Sequence, residues 1–249
     1  MTASSNAPSS IAPNEKLIVA LDVPDVAQAR KMVELLGDSV GFYKIGMELA
    51  YGGGLSLVEE FSRAGKQVFV DLKLHDIGNT VEKATAQIAK LGARFLTVHA
   101  FPQTLAAARR GAGGSGLQVL GVTVMTSYDD ADLAAAGYRL DTRELVALRA
   151  RQAREAGIAG LILSPEELTS TRAVVGADML LVTPGIRPAG TALGDQKRVA
   201  TPFEAFSRGA DFIVVGRPIL AAAEPREAAL AIQREIAAAL GEPDRRPAQ

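Results

Sequence analysis

Gln67-Val68-Phe69-Val70-Asp71-Leu72-Lys73-Leu74-His75-Asp76-Ile77-Gly78-Asn79-Thr80 runs from an apolar stretch into charge and then into a turn. Val68, Phe69 and Val70 are β-branched or aromatic, the composition of a buried strand. Side chains alternate faces along a strand, so Asp71 and Lys73 are expected on one face. Opposite charges at the end of a buried strand are costly unless they pair or do chemistry. Asp76 follows, where Ile77-Gly78-Asn79-Thr80 turns into a helix. A lysine between two acids stays protonated, because negative neighbours favour the ammonium. That suits Lys73 to donating a proton rather than to forming a Schiff base, which needs a lysine that gives up its proton easily. A lone D-x-K reads first as a structural ion pair. D-x-K-x-x-D at a strand end reads as a site.

Outward from this segment, short apolar runs alternate with amphipathic stretches. The spacing predicts strands at Leu17–Val23, Gly41–Met47, Gln67–Lys73, Arg94–His99, Gln118–Val124, Gly160–Leu163, Met179–Thr183 and Phe212–Val215. Helices are expected over 25–37, 54–64, 80–91, 102–110, 142–156, 166–175, 202–208 and 224–240. Gly37, Gly65, Gly92, Gly157, Gly176 and Gly209 stand where helices would stop. Eight strands alternating with eight helices point to an α/β fold, a single-domain (β/α)₈ TIM barrel over residues 16–240. A doubly wound sheet is the alternative. No G-x-G-x-x-G follows the first strand, which ends Leu21-Asp22-Val23-Pro24, so the barrel is preferred. Residues 1–15, rich in Ser, Ala, Pro and Asn, read as a flexible tail, and 241–249 as a C-terminal tail.

Composition narrows the function classes. With 48% hydrophobic residues in 249, the chain can bury a large core. A net charge of −1 gives no basic field for nucleic acid or an anionic membrane. No apolar run approaches the roughly 20 residues of a membrane span, and no signal peptide is apparent, so a cytoplasmic protein is expected. Zero cysteines exclude disulfides and thiolate metal sites. Two histidines, His75 and His99, cannot make a His-rich metal site. No cofactor motif is present, and neither a cofactor nor a metal is expected.

Barrel active sites lie at the C-terminal ends of the strands. Asp22, Lys44, Asp71, Lys73, Thr126, Arg187 and Arg217 all fall at or just after such ends and read as one site. The last two strands run into Thr183-Pro184-Gly185-Ile186-Arg187-Pro188 and Gly216-Arg217-Pro218, where barrels commonly hold a phosphate. Gly216 would let the backbone approach an anion, Arg217 could grip it bidentately, and Pro218 suits the start of a helical turn. The connection from Arg187 to Pro202 carries Gly190, Gly194 and Asp195-Gln196-Lys197-Arg198. A lid closing Arg187 and Gln196 over the phosphate is expected there.

Together these segments resemble the orotidine 5′-phosphate decarboxylase family from about Leu17 to Ala221. The resemblance is carried by Leu21-Asp22-Val23, Tyr43-Lys44-Ile45-Gly46, Asp71 to Thr80, Met125-Thr126-Ser127, Thr183 to Arg187 with Gln196, and Gly216-Arg217-Pro218. It implies that Lys73 protonates C6 of the pyrimidine after CO₂ leaves and that Asp71 lies against the substrate carboxylate. Asp76 would enter the site of a neighbouring subunit, making a homodimer with shared sites, and Thr80 would touch ribose across that interface. Asp22 and Lys44 resemble ribose-binding and charge-aligning residues, and Thr126 a contact to the pyrimidine edge. Arg187, Gln196, Gly216 and Arg217 resemble the phosphate set.

Two rivals compete with this reading. A Mg²⁺-dependent phosphosugar decarboxylase or synthase of the same superfamily would need an acid at the end of the second strand, where this chain has Lys44. A non-catalytic phosphate-binding barrel would have little reason to keep Asp71, Lys73 and Asp76. His75 is expected to point away from Asp71 and Lys73, and His99 to end a core strand. Tyr43, Met47 and Phe69 are expected to pack in the core, as is the apolar side of the helix at 224–240.

Overall fold

Eight strands pair in parallel, each with its sequence neighbours, and β8 closes on β1. The computed structural model describes residues 13–188 and 199–241. The strands are β1 Leu17–Ala20, β2 Phe42–Gly46, β3 Gln67–Leu74, β4 Phe95–His99, β5 Gln118–Val122, β6 Gly160–Ile162, β7 Leu180–Thr183 and β8 Phe212–Val215. The helices that follow them are α1 Val26–Leu36, α2 Ser56–Arg63, α3 Gly78–Lys90, α4 Pro102–Ala112, α5 Thr142–Ala156, α6 Leu168–Val175, α7 Pro202–Ser207 and α8 Pro225–Ala239. This is the (β/α)₈ barrel that the alternation predicts. All six helix-stopping glycines take a positive φ.

The strands read as unbroken apolar runs because both of their faces are covered. Ile18, Phe42, Phe69, Phe95, Leu120, Val182 and Phe212 fill the barrel interior. Their neighbours Leu17, Val19, Tyr43, Val68, Val70, Leu96 and Ile213 pack outward against the helices. Phe95 meets Phe42, Phe69 and Phe212 at ring-centroid distances of 5.2, 6.0 and 5.3 Å. Helix α8 buries Ala229, Ile232 and Ile236 and faces inward as its pattern requires.

Four features depart from the sequence reading. Pro13–Lys16 forms one helical turn where the tail is expected to run on to Glu15, with Lys16 Nζ 5.9 Å from the Phe206 ring. An additional helix, Asp130–Ala135, follows β5, capped reciprocally by Asp129 and Asp132. Met47 is 45% exposed rather than packed in the core. The chain leaves β2 there and turns through Met47–Leu49 and Ala50–Gly54, which carries Met47 off the barrel. The fourth departure is in β3. Val70 pairs with Leu96, but Leu74 rather than Leu72 pairs with Val98, so four steps on β3 face two on β4. The extra residues form a bulge holding Asp71 and Lys73.

Candidate active site

One parity organises the C-terminal mouth of the barrel. Counting by twos up each strand from the interior layer, Ile18 leads to Asp22, Phe42 to Lys44, Phe69 to Asp71 and Phe95 to Thr97. Inward-facing apolar side chains thus give way to inward-facing polar ones, one step higher on β2, β3 and β4 and two steps higher on β1, where Ala20 intervenes. Asp22, Lys44 and Asp71 share a cavity of about 300 Å³ that is also lined by Ala20, Phe69, Val122, Ile162 and Val214, while Thr97 is buried behind Asp71.

Within it, four charges alternate. Lys44 Nζ donates to Asp22 Oδ1 at 3.1 Å and lies 3.5 Å from Asp71 Oδ2. Asp71 Oδ1 accepts from Lys73 Nζ at 2.9 Å and from Thr97 Oγ1 at 2.7 Å. Lys44 and Asp71 are almost wholly enclosed, whereas Asp22 is half exposed. Burial works against both enclosed charges and pairing prevails. Burial alone would raise the Asp71 pKa, but Lys44, Lys73 and the Thr97 hydroxyl hold it below the ordinary carboxylate value. Burial would likewise lower the Lys44 pKa, and Asp71 and Asp22 hold it above the ordinary value. Lys44 and Asp71 are therefore both charged at neutral pH.

The backbone makes room for it. A Cβ on Gly46 would lie 2.9 Å from Lys44 Nζ and 3.3 Å from Asp22 Oδ1. A Cβ on Gly216 would lie 3.2 Å from Asp22 Oδ2. Lys73 has φ +49°, the left-handed region that side chains rarely adopt, and is alone in this among the described non-glycine residues. Asp71 and Lys73 thus meet as expected, through a bulge and a turned backbone rather than simple strand alternation.

The same cavity is lined by Arg187 and Arg217, on the loops after β7 and β8, together with Pro184, Gly185 and Gly216. Burial pushes the Arg187 pKa down, and the neighbouring Arg217 charge adds to this. Two guanidiniums that repel each other beside a cavity suit an anion between them. Pro218 takes the second, not the first, position of the turn Arg217–Leu220, because Arg217 itself opens it.

Eight of the residues singled out in the sequence line this one cavity: Asp22, Lys44, Asp71, Lys73, Thr126, Arg187, Gly216 and Arg217. Asp76 and Thr80 do not. Both are exposed, and Asp76 Oδ1 accepts from the Ile77 N–H at 2.6 Å. Gln196 lies outside the described residues. Phe69 is core, as expected, and its edge also lines the cavity. His75 and His99 sit beside the site, His75 stacked on Phe101 at 4.5 Å between ring centroids. Sequence reasoning missed Thr97, and took Gly46 only as part of a motif without its role in making room for Lys44. The signal for Thr97 was its parity with Phe95. Among the described residues, no group of three His, Cys, Asp or Glu is placed to hold a metal ion.

A sequence model of the "Orotidine 5′-phosphate decarboxylase / HUMPS family" matches residues 15–232. The chain belongs to this family. An orotidine 5′-phosphate decarboxylase from a Bradyrhizobium species is 64% identical over 233 residues, 94% of this chain and 96% of that protein. The Afipia carboxidovorans enzyme of the same name is 63% identical over 227 residues, 91% of this chain and 97% of that protein. Among solved structures, orotidine 5′-phosphate decarboxylase from Lactobacillus acidophilus matches with a TM-score of 0.79 at 39% identity, covering 89% of this chain and 99% of that one.

Proposed function

We propose that this chain is a carboxy-lyase converting orotidine 5′-phosphate to UMP and CO₂ in pyrimidine biosynthesis, with no metal in the reaction. The observation that carries the reading is the alternating array Asp22–Lys44–Asp71–Lys73 facing a cavity that two arginines also line. The C6–carboxylate bond breaks, CO₂ departs, and the electron pair stays on C6. The Lys73 ammonium then transfers its proton to C6 and is reprotonated from solvent. No electron sink adjoins C6, so a fixed cation at that carbon is the effective stabiliser. Asp71 holds that cation in place and lies against the departing carboxylate. Asp22 and Lys44 bind the ribose, Thr126 the pyrimidine edge, and Arg187, Gln196, Gly216 and Arg217 the phosphate. Binding energy gathered at the remote phosphate stabilises the loaded site.

Lys44 also distinguishes this reading from the magnesium-dependent one. It occupies the end of β2 as an ammonium paired to two aspartates, a cation where a metal ligand would be required. The test follows loss of orotidine 5′-phosphate absorbance and appearance of UMP in excess EDTA. Turnover is expected; activity that vanishes with EDTA and returns with Mg²⁺ would favour the phosphosugar rival.

The working unit is a cytoplasmic homodimer in which Asp76 and Thr80 complete the partner's site. Their exposure beyond β3, outside their own chain's cavity, supports this, as does Ile77 between them at 73% exposed. Mixing inactive Lys73→Ala and Asp76→Ala proteins under subunit exchange tests it. A mixed dimer puts both defects in one site and frees the other, so about a quarter of the sites should recover by random assortment. No recovery despite proven exchange means that Asp76 serves its own chain.

A further inference from the structure

Thr97 has no place in the reaction just described, yet its hydroxyl is the joint between Asp71 and Lys73. It lies on β4 and is fully buried. Its Oγ1 accepts the backbone N–H of Lys73 at 3.0 Å and donates to Asp71 Oδ1 at 2.7 Å. The direction is forced. An amide N–H can only donate, so the hydroxyl must turn its hydrogen to Asp71, and an ionised carboxylate can only accept. These bonds fall where the β3–β4 register breaks and where Lys73 takes its left-handed φ. Such a conformation persists only where the surroundings over-determine it.

We propose that Thr97 is a positioning residue for decarboxylation, its hydroxyl clipping the turned Lys73 backbone to the Asp71 carboxylate so that the proton donor is held at its reacting position. Asp71 Oδ1 then receives two donors from different directions, Lys73 Nζ at 2.9 Å and Thr97 Oγ1 at 2.7 Å. Without the hydroxyl the carboxylate can swing and the bulge can relax, and both displace the ammonium. The alternative is that Thr97 merely fills space in a buried strand. The two differ in what the hydroxyl, as opposed to the methyl, contributes.

Thr97→Val keeps the shape and removes the hydroxyl; Thr97→Ser keeps the hydroxyl and removes the methyl. The inference rests on the decarboxylase reading, so wild-type turnover of orotidine 5′-phosphate is measured alongside. An inactive wild type would refute both, whereas an active wild type isolates the clip. Thr97→Val is expected to lower kcat of the folded protein by about 10²-fold, the scale of a 1 Å misplacement in an active site. Its affinity for UMP should stay close to wild type, because the clip acts on the proton donor and not on the phosphate grip. Thr97→Ser should retain most of kcat. Wild-type kcat in Thr97→Val would overturn the proposal, as would equal loss in Thr97→Ser, or UMP affinity falling in step with kcat.

Discussion

The two ends of this barrel handle buried charge in opposite ways. At the N-terminal end, Arg94 places its guanidinium 5.4, 5.1 and 5.1 Å from the ring centroids of Phe42, Phe95 and Phe212. Burial lowers the Arg94 pKa, Glu15 partly offsets this, and the Gln67 side-chain Oε1 accepts from the guanidinium. That end carries one partly buried cation set over three aromatic rings. At the C-terminal end two lysines and two aspartates alternate beside a cavity, around a lysine backbone in a rarely adopted conformation. Well-packed apolar groups often stabilise a fold as much as a buried ion pair does, or more. The N-terminal end therefore reads as stability, and the open C-terminal end as charge retained for chemistry at the fold's expense.

The comparison breaks first at Lys73. Lys73→Ala should lower turnover by at least about 10⁴-fold, combining loss of a general acid with loss of the charge at C6. The far-UV spectrum should be unchanged. A variant within tenfold of wild type would remove Lys73 from the chemistry. Arg217→Ala should lower kcat/KM by about 10²–10³-fold, the scale of one lost pre-organised donor. Added guanidinium ion should restore part of it. If turnover of the full nucleotide matches wild type, the phosphate is held elsewhere.

The N-terminal end should respond in reverse. Phe95→Ala removes the ring at the centre of the aromatic layer and should cost about 3–5 kcal/mol of unfolding free energy. The protein that remains folded should keep its kcat. Loss of kcat with unchanged stability would erase the distinction between the ends. The smallest expected effect is at the flank of the open end. Burial lowers the His99 pKa from its ordinary 6.5, and His75, Lys73 and Arg149 lower it further. A depressed folded pKa contributes stability that is complete above 6.5 and lost as pH falls below it toward the folded value. His99→Gln should flatten the stability profile on the acid side of that value, and an unaltered slope would assign the acid limb to other groups.

Much of the molecule was legible in the sequence because a parallel barrel buries both faces of each strand. Runs such as Phe212-Ile-Val-Val215 announce themselves, and the polar residue ending a run marks the rim. Asp22, Lys44, Asp71 and Arg217 were found in this way. Thr97 was not, because a threonine between Leu96 and Val98 looks like an ordinary strand residue until Phe95 is known to face inward. The left-handed Lys73 was hidden too, since its bulge is set by how β3 pairs with β4 and not by local pattern. Gly46 read as part of a motif, and its reason is the space taken by Lys44 Nζ. Met47 was misread because apolar character alone does not tell a core position from an exposed one just past a strand end.

Equilibrium urea unfolding of the double variant Lys44→Met/Asp71→Asn, at matched protein concentration with wild type, tests most directly whether the open-end charges serve the reaction rather than the fold. The variant removes the two enclosed members of the array and leaves the more exposed Asp22 and Lys73. Removing both members of a buried pair is often neutral or stabilising by about 1–4 kcal/mol. The expected result is an inactive protein at least as stable as wild type. An inactive protein that is less stable by several kcal/mol would contradict it, and would make the array a structural element at both ends of the barrel alike.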